Sequence, residues 1–154
     1  MQFQNNGSLE EGILELSLDE FKDAFATNNH RKKIFGLYEN FLSLCTKELK
    51  EFRQYIDGSY TTKKNKPHDI DVAFFININE MRIKMDFLKS IKSDEGIIPI
   101  ELDIHFEPYC EDMNNPFYQA CQKRQSYWME IFSKDYRGNS KGIVLLHHKE
   151  QDKC

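Results

Sequence analysis

The chain has 154 residues, of which 40% are hydrophobic and 30% are charged, and its formal net charge at pH 7 is -4. This length suits one domain with a substantial core, and the composition is that of a globular protein, which excludes a disordered chain. The acidic balance argues against a general nucleic-acid coat protein, which would be basic, and no run approaches the ~18 apolar residues of a membrane span.

The first third of the chain predicts two helices. Residues 17–20 form a capping-box pattern, with Ser17 as the N-cap, and predict a short helix through Phe25. Asn28 or Asn29 restarts the helix. Apolar residues then recur at three- and four-residue steps over 34–52, which predicts one long amphipathic helix.

The middle of the chain predicts two strands and a helix. Tyr55-Ile56 leads into Asp57-Gly58-Ser59, and a polar, lysine-rich loop follows over 61–68. Residues 69–76 are rich in β-branched and aromatic side chains and predict a strand. Residues 80–91 predict a helix, Gly96 and Pro99 flank a turn, and the alternation over 100–106 predicts a second strand.

The last third predicts a helix, a turn and a strand. Asn115-Pro116 is a strong helix start, and residues 135–140 and 142–147 predict the turn and the strand. The expected inner stripe of the helix is Phe117, Ala120, Cys121, Arg124, Tyr127, Trp128 and Ile131. The order of elements predicts a single α/β (α+β) domain over 1–154, with its core at about 14–146 and a mixed sheet packed against helices.

The cysteines and the amino terminus bear on the compartment. Cys45, Cys110, Cys121 and Cys154 include no Cys-x-x-Cys pair, which argues against a structural zinc site, and Cys45 and Cys121 lie on apolar stripes. The first residues lack a basic segment followed by an apolar one, so no secretory signal is expected. Together these features predict reduced thiols in a cytoplasmic protein.

Alternation along the two middle strands groups their acidic residues. Asp69 and Asp71 share a face of the first strand, and Glu101, Asp103 and His105 share a face of the second. Paired carboxylates at the start of an apolar strand are costly unless a cation lies between them, and a divalent cation with oxygen ligands is the natural partner. If the strands are neighbours, Asp103 completes a three-carboxylate site.

Gly58-Ser59 offers a complementary phosphate site. A Gly-Ser turn at a strand end lets the backbone approach closely and presents N–H groups and a hydroxyl to an anion. Lys63, Lys64 and Lys66 follow on the next loop. Such lysines are more often a solvated turn than phosphate ligands, and both interpretations stay open.

Gly58-Ser59 followed after nine residues by Asp69-Ile70-Asp71 on an apolar strand resembles the signature of the DNA-polymerase-β-type nucleotidyltransferase superfamily, especially its small single-domain bacterial and archaeal members. The resemblance implies that Asp69, Asp71 and Asp103 bind two Mg²⁺ ions, with Asp103 as general base. It also implies that Gly58, Ser59 and Lys63 hold the triphosphate of a nucleotide. In contrast to many minimal relatives, Tyr60-Thr61-Thr62-Lys63 stands where an arginine and a further glycine are usual.

Two functions from different classes follow from the resemblance. The first is a Mg²⁺-dependent nucleotidyltransferase that moves a nucleoside monophosphate from an NTP to a hydroxyl of a protein, an RNA or a small molecule. The second is a non-catalytic or regulatory module that acts through a protein partner, such as the antitoxin of a toxin–antitoxin or phage-defence pair. The carboxylate trio favours the enzyme, because it gives a pure scaffold no benefit.

Several roles stay open at this point. Glu101 competes with Asp103 for the third ligand, and His105 is more readily a structural histidine than a base. Arg124 interrupts an otherwise apolar stripe, so it either pairs with an acidic residue or reaches the site. His147 and His148 are adjacent on a strand, so they face opposite ways and make a poor pair of ligands.

Overall fold

The structure is a computed structural model that describes residues 1–92 and 97–150. The elements in chain order are β1 (Ile13–Glu15), α1 (Leu18–Phe25), α2 (Asn29–Glu48), β2 (Glu51–Asp57), β3 (Ile70–Asn77), α3 (Ile78–Ile83), α4 (Met85–Lys92), β4 (Leu102–Tyr109), α5 (Tyr118–Phe132) and β5 (Ile143–Lys149). The turn predicted at Gly96 and the thiol of Cys154 lie outside the described residues.

The helix starts are set by side-chain caps. Ser17 Oγ accepts from the Glu20 backbone N–H and the Glu20 carboxylate accepts from the Ser17 N–H, so the predicted capping box is present at α1. Asn28 Oδ1 accepts from the Arg31 N–H at 2.8 Å and begins α2. These local bonds satisfy N–H groups that have no partner within the helix.

The five strands form one mixed sheet in the order β1-β5-β2-β3-β4. β3 and β4 are parallel, as are β1 and β5, whereas β2 runs antiparallel to both β3 and β5. The predicted class, a mixed sheet packed against helices, is confirmed.

Helices cover both faces of this sheet. On one face, Ile70, Val72 and Phe74 of β3 are fully buried in a core that includes residues of α1, α2 and α4. On the other, Ala73 and Phe75 pack in a smaller cluster with Trp128 and Phe132 of α5. Because side chains alternate along β3, Asp71 falls on the α5 side of the sheet.

The predicted long helix over 34–52 is too long, because α2 ends at Glu48 and Phe52 belongs to β2. Phe52, Gln54 and Ile56 share the core face of this strand. Gln54 is 2% exposed and accepts a hydrogen bond from the Tyr38 hydroxyl. The polar Gln54 breaks the apolar alternation that identifies a strand. β1 was not predicted, since three residues are too short to show a period.

The central helix and the start of β4 also differ from the prediction. The segment 80–91 is two helices, α3 and α4, joined at Lys84. Ile100 was expected on the core side of a strand, yet it is 91% exposed in the turn before β4. β4 instead continues past Phe106 to Tyr109.

Helix α5 is rotated relative to the predicted stripe and begins later. Its buried residues are Cys121, Trp128 and Phe132, whereas the expected inner residues Phe117, Ala120, Tyr127 and Ile131 are exposed. Asn115-Pro116 forms a turn before the helix, with Asn115 Oδ1 accepting from the Phe117 N–H. Trp128 and Phe132 pack on the sheet in a small cluster, so fewer apolar residues of α5 are buried than the predicted stripe requires.

Three of the four cysteines lie within the described residues. Cys45, Cys110 and Cys121 are buried free thiols, which confirms Cys45 and Cys121 as core residues. Within residues 1–92 and 97–150, none of the helices combines the length and apolar character that crossing a membrane demands.

Candidate metal centre and phosphate turn

Three aspartates come together where β3 and β4 begin. The parallel register pairs Asp71 with Asp103, and Asp69 lies immediately before β3. One carboxylate oxygen of each of these three residues lies within 4.8 Å of the others. The predicted juxtaposition of Asp69, Asp71 and Asp103 is therefore present.

The carboxylates lie at the open end of the α5 face. The Trp128 ring of α5 contacts the ring of His105, with 4.7 Å between ring centroids, and His105 lies two residues beyond Asp103 along β4. Asp103 itself is not covered, and its side chain is 50% exposed. The helix thus protects the middle of this face and leaves the carboxylates accessible to a ligand.

Burial and mutual repulsion disfavour the ionised forms of Asp69 and Asp71. Burial raises the pKa of Asp71 to about 7, and the charges of Asp69, Asp103 and Asp57 add to the rise. Burial and then the charge of Asp103 raise the pKa of Asp69, against the opposing effect of His68 and Lys64. A raised carboxyl pKa means that the ionised group lacks sufficient positive charge nearby, which a bound cation would supply.

Gly58 follows β2 directly beside this cluster. Asp57 pairs with Asp71 across β2 and β3, and Gly58 adopts a φ of 82°. A Cβ on Gly58 would overlap Asp71 Oδ2 and would lie 2.9 Å from Asp71 Cγ. Glycine is therefore required for both its backbone conformation and the close approach of Asp71.

Ser59 begins a single 3-10 turn over Ser59–Thr61. The hydroxyl of Thr62 donates to the Ser59 carbonyl at 2.6 Å, which closes this turn. Gly58 and Ser59 line a cleft of about 830 Å³ together with Lys63 and Lys64. The glycine, the serine and Lys63, all predicted to hold phosphate, thus border one cleft.

Asp57 and Lys141 form a buried ion pair that the sequence did not reveal. Their side chains are 3% and 11% exposed, and Lys141 Nζ lies 2.9 Å from Asp57 Oδ1. Burial raises the pKa of Asp57 to about 7, and Lys141 offsets part of the rise. In the sequence, this ion pair could have been suspected because Asp57 stands directly before Gly58 and Lys141 stands just before the last strand.

Arg31 is a second residue that the sequence did not single out. Its buried guanidinium donates to the carbonyl oxygens of Tyr60, Thr62 and Lys64 in the loop that follows Ser59, and to that of Phe25. It also lies 5.0 Å from the centroid of the Tyr60 ring. In the sequence, Arg31 looks like an ordinary charged residue on a helix, because the carbonyl groups of residues 60–64 are about thirty positions away.

The residues with open roles have clear neighbours. His105 Nε2 lies 3.0 Å from Asp103 Oδ1, and Glu101 is not part of the three-aspartate cluster. Arg124 pairs with Glu107 on β4, so it does not reach the aspartates.

The two terminal histidines do face opposite ways. His147 Nε2 lies 2.8 Å from Glu51 Oε1, while His148 stacks on Phe52 in the core. The prediction that adjacent histidines on this strand face opposite ways is confirmed.

The donor set fits a hard divalent cation. Three carboxylates, with a glycine turn beside them, supply oxygen ligands of the kind that Mg²⁺ and Mn²⁺ prefer.

No curated protein and no solved structure matches this chain. Residues 1–147 match the model of a family of unknown function (DUF6932), and the chain belongs to that family.

Proposed function

We propose that this protein is a divalent-cation-dependent nucleotidyltransferase that moves a nucleoside monophosphate from an NTP to a hydroxyl acceptor. The observation that carries the proposal is the placement of Asp69, Asp71 and Asp103, with oxygens within 4.8 Å of one another, beside the Gly58-Ser59 turn. Acidic metal ligands next to a phosphate-binding turn are the two components that phosphoryl-type transfer requires.

Each residue has a role in the proposal. Asp69, Asp71 and Asp103 would hold two Mg²⁺ ions, which would neutralise phosphate charge and favour attack at phosphorus. Gly58 and Ser59 hold the phosphates that leave, through backbone N–H groups and the serine hydroxyl. Lys63 and Lys64 lie on the same cleft and add positive charge.

The proposed reaction is a substitution at the α-phosphorus. The acceptor hydroxyl oxygen forms a bond to the α-phosphorus, and the bond from that phosphorus to the bridging oxygen breaks, releasing pyrophosphate. Asp103, the most exposed of the three aspartates, accepts the hydroxyl proton. A protein, an RNA or a small molecule can supply that hydroxyl.

The test uses the full chain with each of the four α-³²P-labelled NTPs, Mg²⁺ or Mn²⁺, and fractionated cell extract as a source of acceptors. We expect transfer of label from at least one NTP to a distinct acceptor fraction, and pyrophosphate release to match it. Asp69→Asn and Asp71→Asn should lower the transfer rate by 10³-fold or more, on the order expected for loss of a metal ligand set.

A matched control separates the site from general acidity. Asp86→Asn removes an exposed carboxylate on α4 and should transfer at the wild-type rate. Absence of transfer with all four NTPs, or equal transfer by Asp71→Asn, would contradict the proposal. Copurification with a partner that persists in Asp69→Asn/Asp71→Asn would then favour the regulatory-module interpretation.

A further inference from the structure

The open cleft beside Gly58-Ser59 is bordered by three separate segments. One is the lysine loop that carries Lys63 and Lys64, another is the 134–141 turn, and the third is the amino-terminal hairpin (residues 3–9). These walls are tied together, since Lys63 N donates to Gly7 O at 2.9 Å and Gln4 Nε2 donates to Ser140 O at 2.8 Å. Hydrogen bonds therefore connect the three segments that border the cleft.

Cations are concentrated on this cleft although the whole chain is acidic. Lys63, Lys64, Lys134, Arg137 and Lys141 line it, and the chain has a net charge of -4. Lys141 forms an ion pair with Asp57. Among residues 1–92 and 97–150, none of the other four cations lies in an ion pair with a carboxylate.

Asp135, the acidic residue on the 134–141 turn, forms hydrogen bonds within the turn and no ion pair with Lys134 or Arg137. The Asp135 carboxylate accepts from the backbone N–H groups of Arg137 and Asn139 and from the Asn139 side chain. These bonds hold the turn closed, with Gly138 N donating to Asp135 O at 3.0 Å. Asp135 therefore orders the turn, while Lys134 and Arg137 stay exposed on it.

We propose that this cleft binds the terminal phosphates of a nucleoside triphosphate, with Lys134 and Arg137 as ligands of the γ-phosphate. The inference rests on the proposed function, because a reacting α-phosphate beside the aspartates places the β- and γ-phosphates at Gly58-Ser59 and beyond. Lys63 and Lys64 line the same cleft and add positive charge to it. With the γ-phosphate bound by Lys134 and Arg137, the site selects triphosphates over mono- and diphosphates, because those ligands lack a γ-phosphate.

Binding of inorganic tripolyphosphate tests the inference without turnover or metal. Calorimetry on the full chain in EDTA should show tripolyphosphate binding at least tenfold more tightly than orthophosphate. Lys134→Gln/Arg137→Gln should weaken tripolyphosphate binding by about 10- to 100-fold, because each charge-assisted contact is worth roughly a factor of ten. Both side chains are exposed, so circular dichroism should report a native fold.

The control removes the same charge elsewhere. Lys89→Gln/Lys123→Gln deletes two exposed lysines on α4 and α5 and should bind tripolyphosphate within about twofold of wild type. Equal losses in the two double variants, or equal wild-type affinity for tripolyphosphate and orthophosphate, would overturn the inference. If the double variant fails to fold, Lys134→Gln and Arg137→Gln alone should each lose about tenfold.

The two proposals fail in different ways. Loss of tripolyphosphate binding in Lys134→Gln/Arg137→Gln, without label transfer by the wild-type protein, would support the cleft and contradict the enzyme. Label transfer that is undiminished in that variant at low NTP, with unchanged tripolyphosphate affinity, would support the enzyme and contradict the cleft.

Discussion

At the scale of single residues, Asp71 shows the conflict between stability and the proposed chemistry. It lies at the centre of the acidic cluster, opposite Asp57 on one side and Asp103 on the other. Burial raises its pKa to about 7, so the metal-free fold favours the neutral acid, whereas a cation requires the ionised form. Substitution should therefore affect stability and metal binding in opposite directions.

Asp71→Asn should stabilise the protein in EDTA at pH 8 and abolish its stabilisation by Mg²⁺. The amide keeps the shape and removes a partly buried negative charge, which we expect to be worth about 1–2 kcal/mol after allowance for solvent screening. Thermal melts should rise by roughly 3–6 °C in EDTA. A lower melting temperature in EDTA would show that the carboxylate is already compensated without metal.

Gly58→Ala should destabilise the fold by about 2–4 kcal/mol, from its positive φ and from overlap with Asp71. Gly138→Ala is the matched control, because Gly138 has the same φ of 82° and no atom within 4 Å of the added Cβ. In chemical denaturation, the extra loss in Gly58→Ala measures the overlap with Asp71 together with the cost of the ψ of -163° at Gly58. Equal losses would contradict the requirement for glycine beside Asp71.

At the scale of elements, Arg31 connects α2 to the loop that forms one wall of the cleft. Its guanidinium serves four carbonyl oxygens, three of them between Tyr60 and Lys64. These bonds hold the carbonyl groups toward α2. The loop shape therefore depends on a residue about thirty positions earlier in the chain.

Arg31→Met should cost about 2–4 kcal/mol, since it leaves buried carbonyl groups without donors. Arg31→Lys should recover only part of this loss, because one ammonium does not reproduce the planar fork of the guanidinium. Lys32→Met, an exposed neighbour on α2, serves as the control in the same denaturation series. Full recovery by Arg31→Lys would contradict the role assigned to the fork.

The sequence predicted the parts of the site that depend on local alternation. Asp69 and Asp71 were placed on one face of β3, and Asp103 on the matching face of β4, because strand residues two apart share a face. The pairing of these two strands was a condition of that prediction, and the sheet order fulfils it.

Other features depend on contacts that no local pattern encodes. The Asp57–Lys141 pair joins residues 84 positions apart, and the Arg31 bonds cross from a helix to a loop. Gln54 interrupts the apolar alternation by which β2 could have been identified as a strand. Its burial is possible because it accepts a hydrogen bond from the Tyr38 hydroxyl of α2. The buried side of α5 is set by the packing of Trp128 and Phe132 against Tyr55, Ala73 and Phe75, which the periodicity of the helix does not reveal.

At the scale of the whole molecule, the clustered aspartates couple stability to pH and to metal. A carboxyl whose folded pKa lies above its unfolded value of about 3.9 stabilises the fold fully below that value, and the contribution is lost as the pH rises through the folded pKa. For Asp71 that window runs from about 4 to about 7. Asp69 and Asp57 act in the same direction.

The free energy of unfolding in EDTA should therefore fall as the pH rises from about 5 to 8, and the fall should be smaller in Asp71→Asn. Saturating Mg²⁺ should reverse the trend, since the cation binds only the ionised carboxylates. Urea denaturation at four pH values, with and without Mg²⁺, provides the measurement. A stability that increases with pH in EDTA would contradict the account of the cluster.

Direct titration with Mn²⁺, by calorimetry and by the loss of the free-ion electron paramagnetic resonance signal, tests the central claim that Asp69, Asp71 and Asp103 form a divalent-cation site. We expect saturable binding by the wild-type chain and by Asp86→Asn. Asp69→Asn, Asp71→Asn and Asp103→Asn should each weaken it by at least tenfold. Wild-type Mn²⁺ affinity in all three site variants, or no saturable binding by the wild-type protein, would contradict the account.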